Sequence, residues 1–486
     1  MATSGNSGGQ SNPANAPLYE TPKKVYPRRI EGFWRRVKTT ALTVLLGIFF
    51  VGPWIPWPRE GMAPDQAIVL HMAGRRAYIF GMEFWPQEVY YITGLLVIGA
   101  VGLFLVTALF GRIWCGFTCP QTVWTDLFHF IERWIEGDRN KRIKLDRRPW
   151  HAPDRLWRKA LKHAIYLVIA VLTATTIVLY FNDSPTLLGR IVTLQATTGT
   201  YAVLAIFTVF TYLLAALARE QVCIYMCPWP RFQSAMFDEH SRIVTYEAWR
   251  GEPRGKAKPG QSFEGRGHCV DCGMCWQVCP TGVDIREGNQ LACIGCALCI
   301  DACNSIMDRF GLPRGLITYD SIYNQQVRSE GGEEEKVPFW RARTIGYTAV
   351  LAAVVALMGY ALITRPAMSL NVLHDRSPLF VRMADGDIKN GYTFKIMNKS
   401  DTDRAYRLAV ETPEGATMRV VGHPVNDAKT AAELPVEEGT VGSFRVFVRA
   451  PLGSLDGEAT DADFVLTDLE TGNRIHYEGL FSGPRR

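Results

Sequence analysis

Five apolar runs, at about 39–57, 89–111, 160–181, 199–218 and 342–363, constrain this 486-residue chain more than any other feature. Each is long enough to cross the roughly 30 Å hydrocarbon core of a bilayer, and a backbone there must satisfy its own hydrogen bonds, so each is expected to be a helix. The runs alternate with stretches dense in Arg and Glu, which is how 48% hydrophobic residues average to a mean hydropathy of zero. That distribution excludes a plain soluble enzyme, and the lipid bilayer becomes the first expected partner. The balance of 53 Lys and Arg against 47 Asp and Glu is too even for a nucleic-acid binder.

Residues 1–20 are rich in Gly, Ser, Asn and Pro and are expected to be disordered, as part of a basic cytoplasmic tail reaching residue 38. No cleavable signal peptide is expected, since the first apolar run begins only after Lys38 and no small-residue cleavage site follows. Sidedness follows from Lys and Arg near the spans. Lys23, Lys24, Arg28, Arg29, Arg35, Arg36 and Lys38 precede the first run, whereas the connection at 56–88 has only Arg59, Arg75 and Arg76. The connection from Arg112 to Lys159 holds 11 basic residues, and that near 182–198 has Arg190 alone. The alternation predicts a cytoplasmic N-terminus, a cytoplasmic segment at 219–341 and a periplasmic C-terminal segment. Val123, Trp124, Leu127, Phe130, Ile131, Trp134 and Ile135 recur at helical spacing opposite Gln121, Thr125, Asp126, Glu132, Arg133 and Glu136. This pattern predicts an amphipathic helix lying on the inner membrane face, with a helix packed on its neighbours as the alternative.

From about 370 to 486, short runs such as Tyr392–Met397, Tyr406–Val410, Phe444–Val448 and Phe464–Leu466 are punctuated by turn signals including Asp385-Gly386 and Thr471-Gly472. About seven strands in such a length predict a β-sandwich. All 12 cysteines lie between Cys115 and Cys303, so the segment expected in the disulfide-permitting periplasm has none, and the cysteines are not structural staples.

Eight of them form two C-x2-C-x2-C-x3-C runs, Cys269-Val-Asp-Cys272-Gly-Met-Cys275-Trp-Gln-Val-Cys279-Pro280 and Cys293-Ile-Gly-Cys296-Ala-Leu-Cys299-Ile-Asp-Ala-Cys303-Asn304. This is the two-cluster ferredoxin spacing, in which a tight loop reaches three irons of a cubane and the fourth thiolate comes from the other run. Cys269, Cys272, Cys275 and Cys303 are assigned to one [4Fe-4S] cluster, and Cys293, Cys296, Cys299 and Cys279 to the other. Zinc would close each site with four ligands and has no use for interleaved runs. Asn304 stands where the first run has Pro280, which leaves the local turn open.

The other four form a repeat, Cys115-Gly-Phe-Thr-Cys119-Pro120 and Cys223-Ile-Tyr-Met-Cys227-Pro228, each just past the end of a span. On a helix, i and i+4 thiols share a face and could clamp a soft metal such as Cu(I), close a disulfide, or simply pack as small apolar groups. Met226 could add a thioether. Of the nine histidines only His163 lies near a span, which argues against a membrane haem, and His129 and His268 are more readily hydrogen-bonded side chains than ligands.

With these motifs in place, the chain resembles the cytochrome c oxidase accessory proteins called CcoG, FixG or RdxA: the basic N-terminal tail, the paired C-x3-C-P motifs, the eight-cysteine insert before the last span and the C-terminal β-domain all match. The resemblance implies a multi-domain protein with four transmembrane helices at 39–218, a ferredoxin-like α+β domain at 219–341, a fifth helix at 342–363 and an immunoglobulin-like sandwich at 370–486. It further implies a bacterial inner-membrane location and maturation of cbb3-type oxidase, with Cu(II) reduced to Cu(I) at Cys115, Cys119, Cys223 and Cys227. Expected partners are oxidase assembly factors, copper chaperones or transporters, and a cytoplasmic electron donor. Two other readings stand beside it: a quinol-linked subunit like the NapH proteins, which share the motifs but usually lack the β-domain, and an assembly scaffold using that domain for docking.

Overall fold

The computed structural model describes residues 24–59, 64–72, 74–333, 340–400, 402–422 and 430–485. The expected disorder of residues 1–20 falls outside them. Five helices among the described residues are long and apolar enough to cross a membrane: Phe33–Trp54, Pro86–Phe110, Pro153–Leu179, Thr198–Ala218 and Ala342–Ile363. Between the first two, Ile68–His71, Arg76–Ile79 and Met82–Phe84 form a small antiparallel sheet that the sequence patterning did not suggest.

The disordered tail expected up to residue 38 is corrected from Lys24 onward. Lys24 Nζ and the Tyr26 hydroxyl both reach the Asp146 carboxylate, at 2.6 and 2.7 Å, and the Arg28 and Arg29 amides donate to Gln277 O and Asp138 Oδ1. Composition shows the basic residues but not the acidic partners that the fold brings to them. The helix then begins at Phe33, before the apolar run, because Asp301 accepts hydrogen bonds from the Trp34 and Arg35 amides at 3.2 and 2.8 Å. A carboxylate from another element thus does the work of an N-cap side chain. A Cβ on Gly32 would stand 2.3 Å from Asp301 Cγ, so the approach needs a residue with no side chain.

The helix Pro120–Glu136 is corrected as well. Its apolar face packs Phe128, Ile131 and Ile135 against Tyr166, Ala215 and Ala216, but its polar face is buried too. Asp126 is paired with Arg35 at 2.9 Å and Lys38 at 3.8 Å, and Glu132 with Arg142, Lys162 and Arg219. Only the edge of the helix, with Phe130 and Trp134, stays exposed. A surface-lying helix would leave those acids in water; here basic residues from four other elements satisfy them, so the alternative of a packed helix holds.

In the cysteine-rich segment, Ile243–Tyr246 pairs antiparallel with Ile317–Asp320, and short Met274–Gln277 and longer Leu298–Phe310 helices pack beside that ribbon. Cys303-Asn304 lies inside the second helix, where a proline would break the ladder; Asn304 Oδ1 instead accepts from the Gly315 amide at 3.1 Å.

From Leu357 the chain forms a second compact unit built on two sheets. One has the strand order Thr417–Val420, Val441–Ala450, Ile388–Asn398, Met368–His374, with Val381–Arg382 paired on Ile388–Asn398. The other runs Ala431–Val436, Arg404–Val410, Ala459–Asp468, Arg474–Ser482. Tyr392, Phe394, Leu408, Val446, Phe464 and Phe481 fill the space between them. The central strands are the ones with clear apolar alternation. Ala431–Val436, with Pro435, and Arg474–Ser482 are edges, where polar and proline residues blunt pairing and hide the strand signal.

Candidate metal centres

Cys269, Cys272, Cys275 and Cys303 line one small cavity, together with Tyr246, Arg286 and Met307. Three come from a loop that winds tightly because Asp271 and Gly273, on either side of Cys272, both take left-handed φ angles of 48° and 65°. Arg286 braces the loop through Asp271 and Asp284, each at 2.6 Å. Burial pushes the Cys275 and Cys303 thiols up to about 12, whereas Cys272 is exposed.

The second run repeats the winding, with Gly295 and Ala297 at φ 67° and 59° around Cys296. Cys296 is buried and Cys299 half-buried; desolvation raises the Cys299 thiol well above the ordinary range, and Cys296, Cys293 and Cys279 add to it. Cys279 also raises Cys293, so the last cysteine of the first run sits among those of the second. Each set of four thiols fits a cubane cluster: the soft donors converge, and iron binding would have to displace the thiol protons that burial favours at Cys275, Cys293, Cys299 and Cys303.

The two C-x3-C-P motifs share a backbone closure that spacing did not reveal. The Cys119 amide donates to Trp114 O at 2.9 Å and the Cys227 amide to Val222 O at 2.8 Å, in both cases to the residue preceding the first cysteine. The expected i, i+4 pairing on one α-helix is therefore corrected. Cys115 ends up in a five-residue helix, Ile113–Phe117, and Cys223 in a π-helical segment, Val222–Met226, while Cys119 and Cys227 are already extended. A second π segment, Tyr212–Ala218, precedes, and Gln121 Nε2 donates to the Leu214 and Arg219 carbonyls at 2.8 and 3.1 Å, beside the Arg219 and Val222 amides that those carbonyls also accept. Such wide turns expose carbonyls and recur at functional sites. Burial pushes the Cys115 thiol up to about 12, with Cys119, Cys223 and Cys227 within electrostatic reach, and Cys223 likewise. All twelve thiols are free.

The thiol repeat abuts the second cysteine run. A Cβ on Gly116 would lie 2.9 Å from Cys296 Cα and 3.0 Å from Gly295 O, so the two loops touch backbone to backbone. Cys115 and Cys223 pack with Val278, Ile294, Cys296 and Leu298. Arg112, buried beside the motif, donates to Gln290 O, Leu291 O and Cys293 O at 3.0, 2.7 and 2.8 Å and to Pro230 O at 3.1 Å. Gln233, also buried, accepts from Cys115 Sγ at 3.3 Å. Sequence reasoning missed Arg112, Gly116 and Gln233. The available signals were the position of Gly116 inside the first C-x3-C-P motif and of Arg112 just before it. His129 is buried 3.5 Å from Glu132, His163 Nδ1 meets the Tyr212 hydroxyl at 2.8 Å, His268 packs edge-on to Phe263, and Met226 is exposed.

Comparison with known proteins agrees with this anatomy. Residues 218–322 match a 4Fe-4S dicluster domain, 92–141 a 4Fe-4S binding domain, and 358–484 the IG-like fold at the C-terminus of FixG. The nitrogen fixation protein FixG of Rhizobium meliloti is 43% identical, covering 96% of this chain and 94% of that one. Protein RdxA of Cereibacter sphaeroides is 44% identical over 96% and 99% of the two chains. A crystal structure of a FixG-related protein from Vibrio parahaemolyticus aligns with 24% of this chain and 96% of that one, at 24% identity and a TM-score of 0.21. With five membrane-length helices, a ferredoxin-like dicluster segment and an Ig-like C-terminal sandwich, the chain belongs to the FixG/RdxA family of membrane iron-sulfur proteins.

Proposed function

We propose that this iron-sulfur electron-transfer protein reduces Cu(II) to Cu(I) at Cys115, Cys119, Cys223 and Cys227, for insertion into the copper centre of a cbb3-type oxidase. The reading assumes the bacterial inner membrane, with the N-terminus and cysteine-rich segment cytoplasmic and the β-sandwich periplasmic, in keeping with the distribution of Lys and Arg. A cytoplasmic donor would meet the exposed Cys272 side, and copper chaperones or transporters would take the product.

The contact between Gly116 and the Cys296 backbone is the observation that carries this reading, because it joins the thiol repeat to the second cysteine run with no intervening side chain. When bound, the two clusters supply electrons one at a time, and each Cu(II) consumes one. Arg112 holds the Gln290–Cys293 backbone against the motif, keeping the transfer distance short. The four thiols hold the copper substrate; soft sulfur ligands favour Cu(I), so their donor set assists reduction. Thiols raised by burial give up protons as metal binds, so copper uptake should acidify an unbuffered solution.

The test replaces all four motif cysteines with Ser and first checks that the cluster absorption and EPR spectra survive. Chemically reduced wild-type protein should then convert Cu(II) to chelatable Cu(I) under anaerobic conditions, and the variant should not. Equal rates would refute the copper assignment.

A further inference from the structure

Between the N-terminal residues 27–31, the start of the first span and the helix Pro120–Glu136 lies a cavity of about 510 Å³ that plays no part in the scheme above. Its charges do not cancel. Arg29 pairs with Glu31 at 2.8 Å and Arg35 with Asp126 at 2.9 Å, and Asp126 is shared with Lys38. This leaves Arg28, whose guanidinium finds only the neutral Met274 Sδ at 3.1 Å, and Arg133, whose side chain has no ion pair or hydrogen bond among the described residues. His129 also lines the cavity; it is 3% exposed, with Nδ1 3.5 Å from Glu132 Oε2 and Nε2 without a hydrogen-bond partner. An exposed guanidinium, Arg28, and a half-buried one, Arg133, both without a carboxylate partner and facing one largely apolar hollow, are the donor set of an anion site.

The rim decides which anion. Phe130 and Trp134 border the cavity, 61% and 74% exposed, beside Arg35 and Thr39 in the first two turns of a membrane-length helix. Exposed aromatic side chains beside the end of a neighbouring span favour headgroup level, and basic pockets there bind phospholipid headgroups. We propose that this cavity holds the headgroup of an anionic phospholipid, its phosphate on Arg28 and Arg133 and its acyl chains leaving past Phe130 and Trp134. Val278 and Pro280, which flank Cys279, form part of the wall, so the bound lipid fastens residues 27–31 beside Cys279.

The test uses the full-length protein with its clusters, delipidated in detergent and titrated with phosphatidylglycerol or phosphatidylcholine while bound lipid is counted by native mass spectrometry. Wild type should prefer phosphatidylglycerol by about tenfold or more, and Arg28→Gln with Arg133→Gln should abolish the preference while the cluster spectrum is unchanged. If the double variant fails to fold, Trp134→Ala, which keeps both cations, should weaken retention of phosphatidylglycerol without making the protein bind phosphatidylcholine better. Equal binding of the two lipids by wild type would overturn the proposal, as would a preference that survives loss of both arginines. Full displacement of the lipid by millimolar inorganic phosphate would also overturn it, by making the site one for soluble phosphate. None of these outcomes depends on copper reduction.

Discussion

Replacing Gly116 with valine probes the backbone contact between the thiol repeat and the second cysteine run, on which the proposed electron delivery rests. The Cβ alone would stand 2.9 Å from Cys296 Cα, 3.0 Å from Cys296 N and 3.0 Å from Gly295 O, whereas ordinary contact begins at 3.4 Å, so one loop must retreat by about 0.5 Å before the two γ-methyls are placed. Neither loop can move freely. Arg112 ties the Gln290–Cys293 backbone with three hydrogen bonds, Gly295 O accepts from the Tyr319 hydroxyl, and a Cβ on Gly295 would itself meet Arg112 O at 3.1 Å. Overpacking of this kind costs about 1–3 kcal/mol, and here it falls on the backbone that orients Cys293, Cys296 and Cys299. Gly116→Val should therefore lose about half of the iron, keeping the cluster of Cys269, Cys272, Cys275 and Cys303. Iron per protein and EPR of the reduced, anaerobically purified variant measure this. Gly47→Ala, which meets nothing within 4 Å, serves as the control. Full iron content with a wild-type two-cluster spectrum in Gly116→Val would refute the account of this contact.

Asp126→Asn leaves Lys38, 3% exposed, without its counter-charge and should destabilise the protein by about 3–5 kcal/mol in thermal unfolding; Lys38→Met in the same chain should restore most of the loss. Burial pushes the His129 imidazole down from 6.5 to about 4, against the opposing pull of Glu132. The fold therefore prefers the neutral ring, and this contribution is intact above pH 6.5 and lost as pH falls towards 4. Between pH 7.5 and 5 it should cost wild type about 2 kcal/mol that His129→Gln does not lose, seen as a flatter dependence of Tm on pH. In the sandwich, buried Asn398 donates to Thr402 O, Val436 O and Glu437 O at 2.8, 3.2 and 3.2 Å and accepts from the Tyr406 hydroxyl at 3.1 Å. Asn398→Ala strands those groups and should cost about 3 kcal/mol, lowering the Tm of this unit by roughly 10 °C in calorimetry of the full chain.

Local order was readable wherever one stretch of chain suffices to produce it. A run of apolar residues long enough to cross a bilayer has no alternative to a helix, and three cysteines at C-x2-C-x2-C reach one cubane from a single loop. The central sandwich strands, such as Ile388–Asn398, carried their period of two, whereas the edge strand Ala431–Val436, marked by Pro435, did not. The helix Pro120–Glu136 shows where reading stops. Its period was plain, but a polar stripe is solvated or buried according to what faces it, and besides nearby Arg142 the facing cations Arg35, Lys38, Lys162 and Arg219 come from other parts of the chain.

The sequence by itself determined the spans, the β-domain and the chemical nature of the donors, because helix length, strand period and thiol spacing are properties of neighbouring residues. Tertiary structure alone decided that Asp301 caps the first span, that the C-x3-C-P thiols sit on wide turns closed to the residue before the first cysteine, and that Gly116 and Arg112 lock those turns against Cys296. Each of these depends on backbone groups brought together from distant positions, and a backbone amide or carbonyl carries no signature in the sequence until the fold gives it a partner.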